Sequence, residues 1–465
     1  MNDFSRTEAL SNFVVQSRIE DFPKEVIEAG KKCFLDWIGV TLGAAQDPSV
    51  RILIELVTEI GGQKQASILG HGIKTNLLNA ALVNGTMSHV LDYDDAHSGT
   101  RSHPSAPLIP ALLSISEYKG GSGDELITAF ITGFEVSTRI GLTLGKAYYD
   151  SGWHATSILG RFGAAAGVGK LLKLDAKQLA NAFALAATQA GGLRRVFGTM
   201  GKPFHAGKAA MDGMLSALLS QRGFTAPGDI LDGKPSFLEM FSAEGDANRM
   251  IEGLGKDYQV LKDSFKPYAS CLLVHAAMDG LIWMRNQYQL HPDLIEEITL
   301  EVAPLCLMVT DNRNPKDGLE GKFSVYFCAA LGMMRGEGRN SLFTDEVVHD
   351  PSIRDLMRKI KAIGNPSLKE TEADIKVKLK NGTQLTRQVI APKGDPRNPL
   401  SFDEIEEKFR DLSLSVLSKR RQDQVIKVIR ELESLKDVAR LLRLCRFESE
   451  QRQDGRKGVQ RETRR

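Results

Sequence analysis

The period of the apolar residues changes twice along this chain, and that change limits the fold more than any other feature. From about residue 7 to 260, apolar positions recur three and four apart, the spacing of helices buried on one face. Over residues 23–44 the face of Val26, Ile27, Cys33, Phe34, Trp37 and Ile38 follows Pro23, whose fixed φ suits a first helical turn. Residues 160–190 are dominated by Ala and Gly, as in Gly163-Ala164-Ala165-Ala166-Gly167-Val168-Gly169. Small side chains let helix axes approach closely, so this run predicts the centre of a helical bundle. After about residue 265 the period falls to two, in Ile298-Thr299-Leu300-Glu301-Val302 and Ile375-Lys376-Val377-Lys378-Leu379. The second run is closed by Asn381-Gly382, a two-residue hairpin signal, with residues 383–390 as the return strand. Helix resumes at Ser401-Phe402-Asp403-Glu404, a capping-box sequence, and residues 405–444 have the spacing of one or two amphipathic helices.

The expected fold is therefore mainly α. A large all-helical domain is built from both chain ends, residues 1–264 and 401–447, and a smaller α/β lid domain occupies 265–400. Residues 448–465 are expected to form a disordered basic tail. With 465 residues the chain is too long for one ordinary core, and 42% hydrophobic residues suffice to fill two or three. The net charge of +2 is uneven, because residues 451–465 carry +4 and the rest −2. The body thus offers no basic face for nucleic acid.

Five cysteines, odd in number, widely spaced and never in a C-x-x-C arrangement, fit neither a disulfide framework nor a zinc or iron–sulfur site. The N-terminus has no basic segment leading into an apolar run, and no stretch reaches eighteen uninterrupted apolar residues, so a cytoplasmic protein without a membrane span is expected. Gly167-x-Gly169-Lys170 is not a phosphate loop: Ala164 stands where its first glycine is required, and Leu171 follows the lysine.

Chemistry concentrates in Ser88-His89-Val90-Leu91-Asp92-Tyr93-Asp94-Asp95-Ala96-His97 and the following His103-Pro104-Ser105. Three of the nine histidines and three aspartates fall within sixteen positions, which points to acid–base or ligand chemistry. Four further segments set polar residues beside Gly or Pro in apolar surroundings. They are Gly152-Trp153-His154-Ala155-Thr156, Gly201-Lys202-Pro203-Phe204-His205-Ala206-Gly207, Lys266-Pro267-Tyr268-Ala269-Ser270-Cys271 with His275, and Lys322-Phe323-Ser324. Each alone has an ordinary structural reading: His154 as a helix cap, Lys202 as a loop charge, His275 as a satisfied core histidine, Lys322 as a snorkelling lysine.

Together and in this order, these segments resemble the MmgE/PrpD family of 2-methylcitrate dehydratases, cis-aconitate decarboxylases and an iminodisuccinate epimerase. The resemblance spans about residues 5–445 and includes Leu35-Asp36-Trp37-Ile38-Gly39-Val40, Asn84-Gly85 and the turn over residues 394–400. It implies a site in the cleft between helical domain and lid, a homodimer, and no metal or organic cofactor. Carried over by motif, the catalytic candidates are Asp92, His103, His154, Lys202 and His275. Lys202, Lys266, Lys322 and Tyr326 are the candidates for binding substrate.

The reactions of that family pass through a carbanion beside, or conjugated with, a carboxylate. Such a site needs a group titrating near neutral pH, which His103, His154 or His275 would supply, and fixed positive charge, which suits Lys202. Asp92 would orient a histidine or accept a hydrogen bond from substrate. The expected activity is a lyase acting on a small di- or tricarboxylate, foremost a dehydratase of 2-methylcitrate type. Decarboxylation of cis-aconitate type and epimerisation of iminodisuccinate type are the alternatives.

Two departures from the family pattern bear on the reaction. Decarboxylase-like members often carry Thr where this chain has Ala96, and the loop to His103 is about one residue longer. Where relatives often place a tyrosine, this chain has Phe327, with Tyr326 one residue earlier. The rival enzyme class is a metal-dependent hydrolase using His89, Asp92, Asp94, Asp95, His97 and His103 as ligands. A non-catalytic helical scaffold is the third class.

Overall fold

The computed structural model describes residues 5–242 and 245–447, so the basic tail expected at 448–465 lies outside the described residues. The fold is mainly α, with a smaller α/β part. Seven helices build the centre of the helical part: α1 (Lys24–Gly43), α2 (Leu77–His89), α3 (Ser105–Lys119), α4 (Gly123–Leu144), α5 (Ala155–Leu171), α6 (Ala176–Thr188) and α7 (Gly201–Gln221). The small-residue run lies on α5, which packs against α3, α4, α6 and α7. Glycines set these distances. A Cβ on Gly133 of α4 would meet the Gly163 carbonyl oxygen of α5 at 2.7 Å, and one on Gly85 of α2 would meet the Gly207 Cα of α7 at 2.8 Å.

Helices α8 (His275–Tyr288), α9 (Val325–Arg335) and α10 (Phe402–Ser413) follow. The capping box expected at Ser401 is present and opens α10. This helix packs back on α1, where Lys408 pairs with buried Asp36 at 2.7 Å. Among the described residues after 413 are two further α-helices, Lys419–Arg430 and Ala439–Leu444, with the first also against α1.

The main sheet has the order β4-β3-β5-β6, built from β3 (Ile295–Val302), β4 (Ile360–Gly364), β5 (Ala373–Leu379) and β6 (Gln384–Val389). Strands β3 and β4 are parallel and the other pairs antiparallel. Alternation places Ile295, Ile298, Leu300 and Val302 of β3 and Ala373, Ile375 and Val377 of β5 in the core, and α8 covers β5 and β6.

The sequence reading and the structure differ at three places. The β5–β6 turn is closed by the Gly382 N–H on the Leu379 carbonyl, with Gly382 at φ +87° and Asn381 not in the left-handed region. Lys380-Asn381 thus form the turn and Gly382 the bulge, instead of a two-residue Asn-Gly turn. A short hairpin of β1 (Ala66–Ile68) and β2 (Ile73–Thr75) interrupts the region read as helical. Residues 222–274 hold only one short α-helix, Phe237–Phe241, among the described residues. None of the described helices is long and apolar enough to cross a membrane.

Candidate active site

The loop between α2 and α3 carries the acidic run, and three buried lysines from distant segments hold it. Lys322 Nζ donates to the Leu91 carbonyl at 2.5 Å, Lys266 Nζ to the Asp92 carbonyl at 2.8 Å, and Lys408 Nζ to the Tyr93 carbonyl at 2.6 Å. Buried carbonyls need such donors, and here consecutive ones are met by one ammonium group each. Asp92 itself has φ +50°, a conformation uncommon outside Gly and tolerated best by Asn and Asp. The surrounding lysines hold this strained residue in place, as is frequent in functional loops.

The turn at Asp92 sends two neighbouring carboxylates to different partners. Asp92 Oδ1 lies 2.5 Å from Lys202 Nζ and 3.3 Å from Lys266 Nζ. Burial alone would raise its pKa, but Lys202 and then Lys266 outweigh that and hold it well below the usual carboxylate range. Asp94, two residues on, is the carboxylate that meets the histidines. Its Oδ2 lies 2.8 Å from His89 Nδ1 and 3.2 Å from His103 Nδ1. The expectation that Asp92 orients a histidine is therefore corrected: Asp92 anchors lysines, and Asp94 orients the rings.

His103 Nδ1 also lies 2.7 Å from the Asp95 carbonyl oxygen. A carbonyl can only accept, so this nitrogen carries the hydrogen, and Nε2 is left to act on a ligand. His89, Asp94 and His103 offer three ligand-type atoms within 4.8 Å of one another. Because Nδ1 of His103 is committed as a donor, the group reads as a hydrogen-bonded carboxylate rather than a set of lone pairs converging on an ion.

A pocket opens beside this loop. One wall is polar: Asp92, Arg101, Ser102, His103, His154, Lys202 and Lys266. Leu272, Leu273, Leu305, Val309 and Phe323, from the segments around the sheet, supply apolar side chains, and Ala96, His97, Ser98, Tyr149, Phe197 and Cys271 complete the lining. Arg101 ties the two parts together, bonding Glu370 at 2.5 Å and Asp150 at 2.7 Å.

The structure thus brings Asp92, His103, His154, Lys202 and Lys266 around one pocket. It does not bring the other three there. His275 is fully buried at the start of α8, with Nε2 donating to the Ser270 carbonyl at 3.2 Å, and burial, then Lys266, push its pKa down to about 3. Lys322 lies behind the loop, bonded also to Asn340 Oδ1 at 2.9 Å, and Phe323 takes the place on the pocket wall. Tyr326 turns its hydroxyl to Asp311 at 2.6 Å.

The expectation that His154 titrates near neutrality also fails, since burial and then Lys202 hold its pKa well below the usual value. His89 is pushed down to about 4, chiefly by burial. Sequence reasoning named Asp94 only within the acidic run and as a ligand of the rival hydrolase, and it left out Arg101, Tyr149, Phe197 and Lys408. Only Asp94 had a local signal, its place in the acidic run.

Family comparison assigns this architecture. Residues 8–250 match the model of the MmgE/PrpD N-terminal domain, and residues 268–434 match that of the MmgE/PrpD C-terminal domain. The chain belongs to the MmgE/PrpD family. As such it is an enzyme of lyase type. Its similarity to a cis-aconitate decarboxylase of Aspergillus terreus is 27% identity over 459 residues, covering 91% of this chain and 92% of that protein. The cis-aconitate decarboxylase of Mus musculus is 27% identical over 471 residues, covering 96% and 94%, and that of Homo sapiens 26% over 463 residues, covering 95% of each.

Proposed function

We propose that this MmgE/PrpD enzyme decarboxylates a small unsaturated tricarboxylate of the cis-aconitate class, without a metal or organic cofactor. The observation that carries the reading is the convergence of Lys202 and Lys266 on Asp92 beside His103, in a chain similar along nearly its whole length to cis-aconitate decarboxylases. Loss of carbon dioxide leaves an electron pair conjugated with the remaining carboxylates. Ammonium groups held in a buried wall stabilise that charge with little reorganisation. His103, with its hydrogen on Nδ1, presents the Nε2 lone pair toward the substrate as acceptor or base.

The dehydratase reading stands second, and Ala96 favours it: this residue lines the pocket where decarboxylase-like members often carry a threonine hydroxyl. The α/β part acts as a lid over the pocket, and the working form is a cytoplasmic homodimer. Supporting the last points are the exposed Ile52, Leu56 and Ile60 along the helix Pro48–Ile60, and five unpaired cysteines, which suit a reducing compartment.

The test is a panel of cis-aconitate, citrate, 2-methylcitrate and iminodisuccinate followed by NMR in deuterated water. Carbon dioxide release from cis-aconitate with one deuterium in the product supports the proposal. Water loss from a citrate without carbon dioxide transfers it to the second reading. Activity abolished by EDTA and restored by a divalent metal overturns the metal-free mechanism.

A further inference from the structure

His154 caps the start of α5 and borders the pocket, and its Nδ1 lies 3.0 Å from Nδ1 of His205. His205 stands one helical turn beyond Lys202 on α7. Two imidazole nitrogens at this distance hold one hydrogen between them, one ring donating and the other accepting. Among the described residues the Nε2 of neither ring has a protein partner, and neither is among the sealed polar atoms of the interior. His154 is 1% exposed whereas His205 is half-buried, so the pair forms a line from the pocket toward solvent.

The chemistry gives this line a task. Decarboxylation consumes one proton per turnover, because the carbanion left by loss of carbon dioxide gains hydrogen, whereas elimination of water consumes none. Charging His154 beforehand is costly: burial and Lys202 disfavour its cation, and burial, then Arg161 and Lys202, lower the pKa of His205. A neutral imidazole must then give up its hydrogen while another replaces it.

Resting on the decarboxylase reading, we propose that His205 is a positioning residue that relays a solvent proton to His154 as His154 protonates the substrate carbanion. The His154 Nε2–H bond breaks and the substrate C–H bond forms. The hydrogen on His205 Nδ1 passes to His154 Nδ1, and a proton from solvent adds at His205 Nε2. Both rings end neutral in the opposite tautomers. They reset between turnovers, when pocket water reprotonates His154 Nε2, His154 Nδ1 returns its hydrogen to His205, and His205 Nε2 releases one to solvent.

The test is His205→Gln, which keeps an amide within hydrogen-bond reach of His154 Nδ1 and cannot carry a proton through. With cis-aconitate, kcat should fall about 10²-fold while KM stays within about twofold. Added imidazole should restore part of the rate. The dependence of kcat on deuterium fraction should be curved in the wild type and linear in the variant, with the melting temperature unchanged. An unchanged kcat, or an effect confined to KM, overturns the relay. If the wild type decarboxylates nothing in the panel, the functional reading fails, and the pair is then judged by ¹⁵N NMR of the histidine rings. One hydrogen shared between two neutral rings at pH 7, lost in His205→Gln, sustains it; a charged ring or two uncoupled rings overturn it.

Discussion

Replacing Asp92 by Asn strips the anion from two buried ammonium groups at once. The side chains of Lys202, Asp92 and Lys266 are only 7%, 6% and 1% exposed. Removing one partner of a buried pair costs about 3–5 kcal/mol, mostly because the other charge is left uncompensated. Lys266 keeps the Asp92 carbonyl at 2.8 Å, which places Asp92→Asn near the lower end, about 3 kcal/mol. In Lys202→Met the carboxylate keeps Lys266 at 3.3 Å, so the cost is smaller, about 2 kcal/mol. The double variant no longer holds the opposed charges of that pair. Its cost should fall short of the sum by about 2 kcal/mol, read from urea midpoints at constant m-value. The pH dependence has a definite sign. Because the folded carboxyl titrates below its unfolded value, its contribution is complete above about pH 4 and is lost as pH falls through the folded pKa. The deficit of Asp92→Asn should thus be equal at pH 6 and 8 and shrink in acid. Additivity within about 0.5 kcal/mol would refute the reasoning, since it would mean that Lys202 and Asp92 are energetically independent.

His103→Ala should lower kcat by about 10²–10⁴-fold with little change in KM, and solvent exchange of the substrate's labile hydrogen should fall in parallel. Exchange at the normal rate without turnover would show that His103 is not the base. Burial pushes the Lys322 ammonium down to about 8, against the pull of Asp92, and its unfolded value is about 10.4. Between these the unfolded chain binds more protons, so this group makes stability rise with pH across that window, and Lys322→Met should flatten the rise in the denaturation midpoint. Amide hydrogen exchange without ligand should be faster over 265–400 than over the packed small-residue helices of 160–190, and should slow when a tricarboxylate binds. Equal rates in both regions count against a closing lid.

What was legible in the sequence was local. The Ser401 cap needs only residues three apart, and the β5–β6 pairing needs only alternation on either side of a turn. The hairpin β1–β2 was hidden because three-residue strands are too short to display a period, and β4 because Ile360-Lys361-Ala362-Ile363-Gly364 is a half-exposed edge with little alternation. The motifs located five of the pocket residues but not their pairing. Asp92 and Asp94 are two positions apart with the same side chain, and a single positive φ at Asp92 decides which meets lysines and which meets histidines. Lys322 and Leu91 are 231 residues apart, and Lys408 and Tyr93 are 315 apart. No local pattern records such contacts.

The charge balance of the pocket follows from the same packing. His89 and His97 are pushed down to about 4 and His154 is held lower than usual, all first by burial, so these rings stay neutral at pH 7. Lys202 and Lys266 share the single carboxylate of Asp92, while Arg101 is matched by Glu370 and Asp150 outside the pocket. Among the residues lining the pocket, two lysines thus face the single carboxylate of Asp92, while the Asp94 carboxylate lies behind His103. An anionic substrate would complete the balance, and its remaining carboxylates would gain most when decarboxylation places a further electron pair in conjugation with them. An analogue with one carboxylate replaced by a neutral group should accordingly lose binding at every pH between 6 and 8, not only at the alkaline end as a histidine-based anion site would.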